Sequence, residues 1–471
     1  MAKLVWFRHD LRTLDNPMLS YASHSGQPIY GCYLITTKQW QRQNHSPLRN
    51  QYVLNRLCAL RQELHDCHIP LIVKSCDDYD HSIDELKALC LKLNIDEVLI
   101  GAEYGLWERQ RDEKIRTELA SQSIQLSSFT SQLLIAPGEL VTGKGLPYRV
   151  FTPFSKAWKA QLALHDHPPL SAPNQAPINI NIDEGLDNEE LARLADGESR
   201  WPVAQQQVLN HLSHFIKNKV SDYQQSRDFP NEPATSRLSA ALAHGVFSSA
   251  QALYLLKQSY PNQYLDPKSG PGCWLNELIW REFYIQLLAQ FDAISQGLTF
   301  KSETRAIKWD NNPQALSAWQ QGKTGIPIVD AGMRQLNEIG WMHNRVRMIC
   351  ASFLSKNLWL DWREGEKYFM SKLIDGHLAS NNGGWQWSAS TGTDAAPYFR
   401  VFNPVSQSQK FDPKGDYIRR WVSELASLSP AQIHEPSDEV RQKLNYPLAI
   451  VNLKQSRKQA IERFAAQTKS D

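Results

Sequence analysis

Between residues 274 and 421 the chain carries 10 of its 15 tryptophans, interleaved with Asn, Arg, Asp and Glu. A purely structural core favours Leu, Ile and Val, which fill space without an indole N–H that needs a partner. So many indoles beside polar side chains indicate a site that stacks flat rings or moves electrons. The alternative is that these tryptophans are only core residues, because tryptophan is largely buried in most folds.

The segment Trp274–Phe283 combines aromatic and charged residues at helical spacing. This spacing places four side chains on one face, namely Glu277, Trp280, Arg281 and Tyr284. Such a face fits a pocket in which Trp280 stacks a base, Glu277 hydrogen-bonds it and Arg281 holds a phosphate. The alternative is an amphipathic helix with a core tryptophan, whose Glu and Arg pair with other elements.

A second helical segment, Trp341–Met348, places Asn344, Arg347 and Met348 on one face and directs Arg345 elsewhere. Without further context, two such close arginines are as consistent with a solvated face as with a site.

The segment Thr235–Ser239 comes after Pro230 and Pro233, and its hydroxyls are placed to cap a helix. Hydroxyls and backbone N–H groups at a helix start also bind phosphate, so a cofactor pyrophosphate is the functional interpretation. Capping alone explains the residues equally well.

The segment Asp375–Trp387 is rich in Gly and Asn. Its Asn381-Asn382 and Gly383-Gly384 pairs predict a turn whose backbone closely approaches something flat. Asp375 and Asn381 offer hydrogen bonds to a heteroaromatic ring. The alternative is a glycine-rich turn that only caps a helix.

These segments must be positioned by two kinds of structure. Apolar runs at 4–7, 29–35, 71–73 and 98–100 alternate with helical patterns at 48–67, 82–93 and 107–120, which predicts an α/β domain with a parallel, Rossmann-like sheet. No Gly-x-Gly-x-x-Gly comes after the first strand, which instead runs into Arg8–Arg12, so the usual dinucleotide fingerprint is missing.

The second half of the chain is predicted to be all-α, with helices near 203–225, 248–259, 274–291, 327–339, 343–358 and 363–373. Prolines at 168, 169, 173 and 177 and acidic residues from Asp183 to Glu190 predict a surface connection before it. We therefore predict domains at 1–132 and 201–471, joined by a connection at 133–200.

Composition excludes several classes of protein. The net charge of +2 divides into −4 for residues 1–200 and +6 for residues 201–471, a small basic excess that fits a polyanionic partner. No apolar run approaches the roughly 20 residues of a membrane span, and no signal peptide is present, which predicts a cytoplasmic protein. Seven cysteines without a Cys-x-x-Cys pair predict reduced thiols and no metal site.

In order along the chain, Leu4–Arg12, Thr235–Ser239, Trp274–Phe283, Trp341–Arg347 and Asn381–Trp387 closely resemble the motifs of the DNA photolyase and cryptochrome family. The resemblance covers nearly the whole chain and is closest to bacterial class I photolyases that split cyclobutane pyrimidine dimers. It implies an N-terminal α/β antenna-binding domain and a C-terminal helical domain that binds FAD and DNA and carries the catalysis.

The resemblance implies roles for individual residues. Those matching the family's flavin contacts are Tyr223, Thr235, Ser236, Arg237, Leu238, Ser239, Trp274, Glu277, Arg347, Asp375, Gly376, His377 and Asn381, with Asn381 facing the flavin N5. Those matching the dimer pocket or the DNA-binding surface are Arg227, Glu277, Trp280, Arg281, Tyr284, Asn344, Arg345, Trp387 and Arg400. The catalytic set is Glu277, Asn344 and Asn381 together with an electron-transfer chain of Trp309, Trp362 and Trp385.

The chemistry implied is light-driven electron transfer from reduced FAD to a pyrimidine dimer flipped out of DNA, and then return of the electron. Glu108 matches a carboxylate that contacts the antenna 5,10-methenyltetrahydrofolate, but Trp107 and Gln296 replace the expected Asn and Lys. A deazaflavin, a second flavin or an empty antenna site stay open. His377 stands where the family usually has Asp.

The alternative function is a cryptochrome-type photoreceptor without repair activity. Asn381 and the intact Trp280 pocket favour repair. The related 6-4 photolyases place histidines where this chain has Asn344 and Met348, so no acid catalyst for that reaction is evident. We expect a monomer that acts on dimer-containing DNA without a protein partner.

Overall fold

The computed structural model describes residues 1–163, 168–173, 184–196 and 199–467. Its contacts divide the chain into two compact units. The first unit comprises Met1–Gln224 and Ser236–Ser295, and the second comprises Gln225–Thr235 and Gln296–Asp471. The helices between residues 205 and 295 thus fall mainly in the first unit, and the domain boundaries drawn from the sequence stay predictions.

A five-stranded parallel sheet forms the centre of the first unit, with β1 Ala2–Trp6, β2 Ile29–Thr36, β3 Leu71–Cys76, β4 Ile95–Gly101 and β5 Gln125–Phe129. The strand order is β3-β2-β1-β4-β5, in which the winding direction reverses between β1 and β4. The four predicted strands are confirmed. The sequence did not predict β5, because Ser127 and Ser128 interrupt its apolar pattern.

Both faces of this sheet are covered, which explains the nearly continuous apolar runs of β1, β2 and β4. Val5, Phe7 and Leu99 pack on one face, while Leu4, Trp6 and Val98 pack on the other.

Helices surround the sheet and continue to the end of the first unit. In chain order they are α1 Pro17–Ser23, α2 Thr37–Arg42, α3 Pro47–His65, α4 Tyr79–Lys92, α5 Leu106–Ala120, α6 Phe151–Leu162, α7 Asn188–Leu194, α8 Gln205–Asn218, α9 Tyr223–Ser226, α10 Ser239–Ala243, α11 Ser249–Ser259, α12 Gly270–Gln290 and α13 Asp292–Ser295. A short 3-10 helix, Val220–Asp222, precedes α9.

The remaining helices lie beyond residue 295, where the main core contains Trp319, Trp362 and Trp385. They are α14 Pro313–Gln320, α15 Pro327–Ile339, α16 Asn344–Ser352, α17 Trp362–Met370, α18 Leu378–Ala389, α19 Pro404–Phe411, α20 Asp416–Trp421, α21 Pro430–Ile433, α22 Asp438–Lys443 and α23 Leu453–Gln467. A π-helix, Phe353–Asn357, continues α16, and 3-10 helices span Ser302–Thr304 and Ser423–Leu425. The prediction of an α/β part and then a helical part is confirmed.

Two local predictions are wrong. The Asn381–Gly384 run is not a turn, because it lies in the middle of α18, where burial of Ala379, Trp385 and Ala389 outweighs the low helix propensity of glycine. The Thr235–Ser239 hydroxyls do not cap a helix, since α10 is preceded by Leu238 without a side-chain cap bond.

The predicted connection at 133–200 contains α6 and α7. Pro177 and Asp183 lie outside the described residues. No helix in the described part of the chain is long and apolar enough to cross a membrane.

Candidate active site

A cavity of about 160 Å³ lies in the second unit between α16 and α18 and the segment that joins α17 to α18. It brings together six residues predicted for the site, namely Asn344, Arg347, Asp375, His377, Asn381 and Trp385. Gly384 also lines it and has nothing within 4 Å of the position a Cβ would take. The close backbone approach expected from the glycine pair is therefore available, although from a helix.

Asp375 and Arg347 form an ion pair at the wall of this cavity. The Arg347 Nη2 atom lies 2.8 and 3.1 Å from the two Asp375 oxygens, and Arg347 Nε donates to the Met342 carbonyl over 2.8 Å. The Asp375 side chain is almost fully buried. Because arginine neutralises and orients it, the carboxylate can accept N–H donors from a heteroaromatic ligand without leaving an unpaired buried charge.

Asn381 is oriented by the preceding helix. Its Nδ2 donates to the backbone carbonyl of Glu366 on α17 over 3.0 Å. The amide oxygen is then the atom that Asn381 presents to a ligand in the cavity, where it can accept a hydrogen bond.

A chain of amide hydrogen bonds extends from Glu366. Asn382 Nδ2 donates to Glu366 Oε1 over 2.9 Å, Gln386 Nε2 donates to Asn382 Oδ1 over 2.8 Å, and the Phe300 N–H donates to Gln386 Oε1. Burial raises the pKa of Glu366 to about 7, although the hydrogen bond from Asn382 acts to lower it. The site thus contains a carboxyl group that changes its charge near neutral pH.

Of the three predicted electron-transfer tryptophans, only the outermost, Trp309, reaches solvent. Trp385 lines the cavity and is buried, Trp362 is fully buried, and Trp309 is only partly buried. The Trp362 indole N–H has no hydrogen-bond partner among the described residues. A one-electron-oxidised Trp362 therefore has no described group to which it could pass its proton.

The helical face predicted for α16 is present. Asn344, Arg347 and Met348 line the cavity, whereas Arg345 pairs with Asp228 at 2.9 Å and covers the Phe411 ring at 4.4 Å from its centroid. Among the other predicted DNA contacts in this unit, Arg400 is exposed and Trp387 is partly buried. Arg227 lies 3.9 Å from Asp228.

In the first unit, α12 presents the predicted stripe of Glu277, Trp280, Arg281 and Tyr284 as its partly exposed face. The Trp280 indole is already stacked: the Phe151 ring lies parallel to it, with centroids 3.6 Å apart and planes 3° apart. Tyr284 lies at 5.6 Å and 29°. A base can therefore stack only on the part of the indole that these rings leave uncovered.

Arg281 turns towards its own unit. Its Nη1 donates to the Gln132 carbonyl over 2.8 Å, and burial lowers its pKa to about 10. This geometry corresponds to the alternative drawn from the sequence, in which the arginine of α12 pairs with another element. Its role as a phosphate contact stays a prediction.

The other predicted flavin contacts of the first unit are buried or lie beside α10. Phe215 packs against both Tyr223 and Trp274 at 6.0 and 5.4 Å. Leu238 is buried, Ser236 is partly buried, and Arg237 and Ser239 are exposed. Arg237 has a positive φ of 51°, unusual for a residue with a Cβ. In the second unit, Thr235 is partly buried and Gly376 is buried.

At the carboxyl ends of β1 and β4, charged side chains fill the position where open α/β sheets bind ligands. Arg111 donates to Glu103 over 2.6 Å, and Arg8 lies 3.5 Å from it. Burial alone would raise the pKa of Glu103, but the two arginines hold it well below its usual range. Glu108 is buried beside this cluster, and one of its oxygens accepts from both Tyr79 and Gln43.

Comparison with known proteins shows which family the chain belongs to. Residues 3–174 match the family model described as DNA photolyase, and residues 274–466 match the model described as the FAD binding domain of DNA photolyase. Over 470 residues the chain is 42% identical to the deoxyribodipyrimidine photo-lyase of Escherichia coli, with 99% of each chain covered. The chain belongs to the DNA photolyase family.

Two further photolyases extend the comparison. The deoxyribodipyrimidine photo-lyase of Vibrio cholerae is 42% identical, with 97% of each chain covered. The crystal structure of a class III photolyase from Agrobacterium tumefaciens matches with a TM-score of 0.88 and 33% identity, covering 100% of this chain and 98% of that one. The cavity at Asn381 and Asp375 lies inside the FAD-binding domain of this photolyase-family chain.

The residues of this cavity fit the flavin that the family binds. An acceptor oxygen on Asn381 and the neutralised Asp375 carboxylate suit a planar ring that carries N–H groups. His377, which stands where the resemblance led us to expect Asp, lies at the cavity wall within 3.4 Å of Ser380. This position therefore lacks the negative charge that the resemblance implies.

Sequence reasoning missed Glu366, Phe151 and Trp359. Glu366 acts through its backbone carbonyl, so no residue-type pattern could reveal it. Phe151 is distant in sequence from Trp280, and a lone aromatic there carries no signal. Trp359 was visible, because it stands three residues before Trp362 in the tryptophan-rich stretch, and it contacts Trp309 with ring centroids 5.2 Å apart.

In the described part of the chain, no group of three or more His, Cys, Asp and Glu side chains could hold a metal ion.

Proposed function

We propose that this protein is a light-dependent DNA repair enzyme that splits cyclobutane pyrimidine dimers. The observation that carries the proposal is the cavity where the oriented oxygen of Asn381 and the Arg347–Asp375 pair meet beside Trp385. Full-length similarity to enzymes named deoxyribodipyrimidine photo-lyase supports the reaction class.

FAD, when bound, supplies the chemistry: light drives the transfer of one electron to the dimer and its return after the ring has opened. The protein's part is to hold and orient the groups that react. Asn381 would accept a hydrogen bond from the ring at its N5 position, and Asp375, which Arg347 holds in place, would accept another. The other flavin-binding residues of this proposal are Tyr223, Thr235–Ser239, Trp274, Glu277, Gly376 and His377.

Glu277, Trp280 and Asn344 serve as the dimer-binding residues in this proposal. Photolyases are among the enzymes that act on bases extruded from the duplex, at a cost of a few kcal/mol that is smallest for damaged pairs. Trp280 offers an indole held rigidly by Phe151, and Asn344 is exposed at the cavity. Asn344 and Met348 offer no acid, which favours cyclobutane dimers over 6-4 photoproducts. The DNA backbone contacts are Arg227, Arg281, Arg345 and Arg400, with Tyr284 and Trp387.

Trp385, Trp362 and Trp309 form the route by which an electron reaches the cavity from the surface. The burial of Trp385 and Trp362 and the partial exposure of Trp309 support Trp309 as the surface end. The route restores the reduced cofactor and is not used in the repair step itself.

For the antenna we propose 5,10-methenyltetrahydrofolate beside Glu108. The cavity at the strand ends, near Glu103, holds only about 50 Å³, which is small for a folate and for a second flavin alike, so its volume does not choose between them. Glu108 fits a folate only in part, because Tyr79 and Gln43 already use one carboxylate oxygen. Chromatography of the chromophores released from purified protein decides the matter: a folate supports this site, and FAD alone contradicts it.

A cytoplasmic location, a monomeric state and the absence of a protein partner stay predictions from the sequence. Gel filtration at working concentration tests the monomer.

The decisive experiment for the repair function is exposure of a thymine-dimer oligonucleotide to the reduced, FAD-loaded protein under near-UV to blue light, with a dark control. We expect dimer loss only in the light. No repair by a protein that retains FAD contradicts the proposal and favours a photoreceptor or 6-4 specificity, the latter to be separated by a 6-4 oligonucleotide.

A further inference from the structure

Lys356 is buried in the second unit, and no carboxylate of the described residues pairs with it or raises its pKa. It belongs to the π-helix Phe353–Asn357 that continues α16, and it is only 1% exposed. Short π-helices are rare and often lie at functional sites. A buried ammonium without a counter-charge is costly, so this lysine calls for an explanation beyond packing.

Polar contacts hold the amine in place. Lys356 Nζ donates to Ser390 Oγ over 2.6 Å and lies 3.5 Å from the Tyr398 carbonyl oxygen. Ser390 is the C-cap of α18, where the negative end of the helix dipole favours a cation. The amine is therefore fixed against the end of the helix that carries Asn381 and Trp385.

A single phenyl ring separates this amine from Trp309, the partly exposed end of the proposed electron-transfer chain. Lys356 Nζ lies 4.1 Å from the centroid of Phe464, and the same ring packs edge-on against Trp309 with centroids 6.2 Å apart. Phe464 is only 1% exposed, so the material between the amine and the indole is apolar. A charge acts more strongly through such a medium than through water.

The charge of Lys356 changes near neutral pH. Burial, together with the positive charge of Lys301, lowers the pKa of Lys356 to about 7. The side chain is therefore a cation below this pH and a neutral amine above it. Lys301 is the one charged group that shifts this pKa among those on the surrounding segments, which also carry Asp310, Glu366, Asp394, Arg400 and Arg463.

We propose that Lys356 controls the electron-transfer chain through its charge, because its ammonium form disfavours positive charge on Trp309. The inference rests on the proposed chain and adds a residue that carries no electron. In the step concerned, Trp309 gives one electron to the Trp362 radical cation, so that Trp362 is restored and Trp309 becomes the radical cation. A thiol in solution later returns one electron to Trp309, is oxidised towards its disulfide and releases its proton to water. Lys356 only exchanges a proton with water.

The charge of Lys356 thus determines how long the positive charge stays at the surface end of the chain. When the ammonium is present, repulsion favours return of the positive charge from Trp309 to Trp362, from which it recombines sooner. When the amine is neutral, this repulsion is absent. We therefore expect the Trp309 radical to live severalfold longer above pH 7 than below it.

The test uses the full-length protein with oxidised FAD bound, and it measures the tryptophan radical lifetime by transient absorption after a blue laser flash between pH 5 and pH 9. We expect a step in lifetime centred near pH 7. In Lys356→Met, which fills the same space without a charge, we expect the long lifetime throughout. Lys308→Met is the matched control, because it removes an exposed, water-screened cation beside Trp309 and is expected to keep the step. A full step in Lys356→Met overturns the proposal.

Ser390→Ala provides a readout that a purely structural role of Lys356 would not change. It removes an acceptor of the protonated amine and so favours the neutral form, which we expect to move the step about one pH unit lower. A step at the same pH in Ser390→Ala contradicts the proposal.

Glu366 is the competing source of a step, because its pKa is also about 7. A step that disappears in Glu366→Gln and remains in Lys356→Met belongs to Glu366 and overturns the proposal.

Nuclear magnetic resonance of protein labelled with ¹³C at lysine Cε follows the amine directly and without light. The resonance that is missing from Lys356→Met is expected to titrate near pH 7. Titration of this resonance near pH 10 refutes the control by charge that we propose.

Trp362→Phe separates this inference from the chain on which it rests. Persistence of the long-lived tryptophan radicals in Trp362→Phe refutes the chain itself. Their loss in Trp362→Phe, together with an unchanged step in Lys356→Met, supports the chain and refutes the role of Lys356.

Discussion

Asn381 and the Glu366 backbone carbonyl are joined by a 3.0 Å hydrogen bond, and this bond fixes which end of the Asn381 amide faces the cavity. The polarity that the side chain presents to the cavity is thus set on α17, one helix away from Asn381 itself. The presence of an asparagine in the sequence does not by itself reveal which way its amide is turned.

Replacing Asn381 with Asp tests this relationship. An ionised carboxylate cannot donate to the Glu366 carbonyl, and it places negative charge beside a reduced cofactor, which we expect to destabilise reduction by on the order of 1–2 kcal/mol. Spectroelectrochemical titration of the bound flavin measures the shift. Ser380→Asp adds the same charge at the cavity without removing the amide, so an equal shift in both variants contradicts a special role for the bond.

The pKa of Glu366 predicts a pH dependence of stability. Burial raises that pKa to about 7, so between its ordinary value and 7 the folded protein holds a proton that the unfolded chain has released. Stability therefore falls as pH rises through this window, by on the order of 1–3 kcal/mol. Urea unfolding at pH 5 and pH 8 is expected to show a smaller decline in Glu366→Gln, whereas Glu364→Gln, at an exposed position of α17, declines like the unmodified protein. An identical decline in all three refutes this assignment.

Two glycines near the cavity predict opposite effects of alanine. A Cβ at Gly365 would collide with the six-membered ring of Trp385, so Gly365→Ala is expected to cost about 1–3 kcal/mol and to disturb Trp385. Gly384 has open space at that position, so Gly384→Ala is expected to stabilise α18 by up to about 1 kcal/mol. Urea midpoints of the two variants compare these expectations directly, and destabilisation by both would show that α18 needs glycine for another reason.

The Phe151–Trp280 stack predicts an effect on recognition of damage. Phe151→Leu removes a parallel ring that holds the indole, and a contact of this kind contributes about 0.5–1.5 kcal/mol. We expect severalfold weaker binding of dimer-containing DNA and little change for undamaged DNA, as measured by fluorescence anisotropy. Tyr148→Leu, on the same segment but beside Phe154, serves as the control.

The loss of affinity for dimer-containing DNA is expected to be larger in Trp280→Ala than in Phe151→Leu, because Trp280→Ala removes the base-stacking surface itself. An equal loss of affinity for damaged and undamaged DNA would remove Trp280 from the dimer pocket.

Periodicity in the sequence was enough to predict most of the elements that position the site. Four of the five strands, the helices α12, α16 and α17 and the grouping of Asn344, Arg347 and Met348 all arise from the spacing of apolar and polar residues, whereas α18 was not predicted. Prediction failed where tertiary packing overrides local preference, because Asn381–Gly384 is helical through the burial of its neighbours, above all Trp385. Partners distant in sequence, such as Phe151 on Trp280 or Gln132 under Arg281, leave no local pattern and could not be foreseen.

The pairing of Arg345 with Asp228 has a consequence for how DNA binding would respond to salt. Each phosphate that a protein cation newly neutralises releases condensed counterions and steepens the logarithmic salt dependence by about 0.9 for duplex DNA. An arginine that leaves an aspartate for a phosphate frees that aspartate to attract a cation in turn. The exchange as a whole then releases almost no counterions. The slope of the salt dependence would then correspond to fewer charges than the number of arginines that contact the DNA backbone.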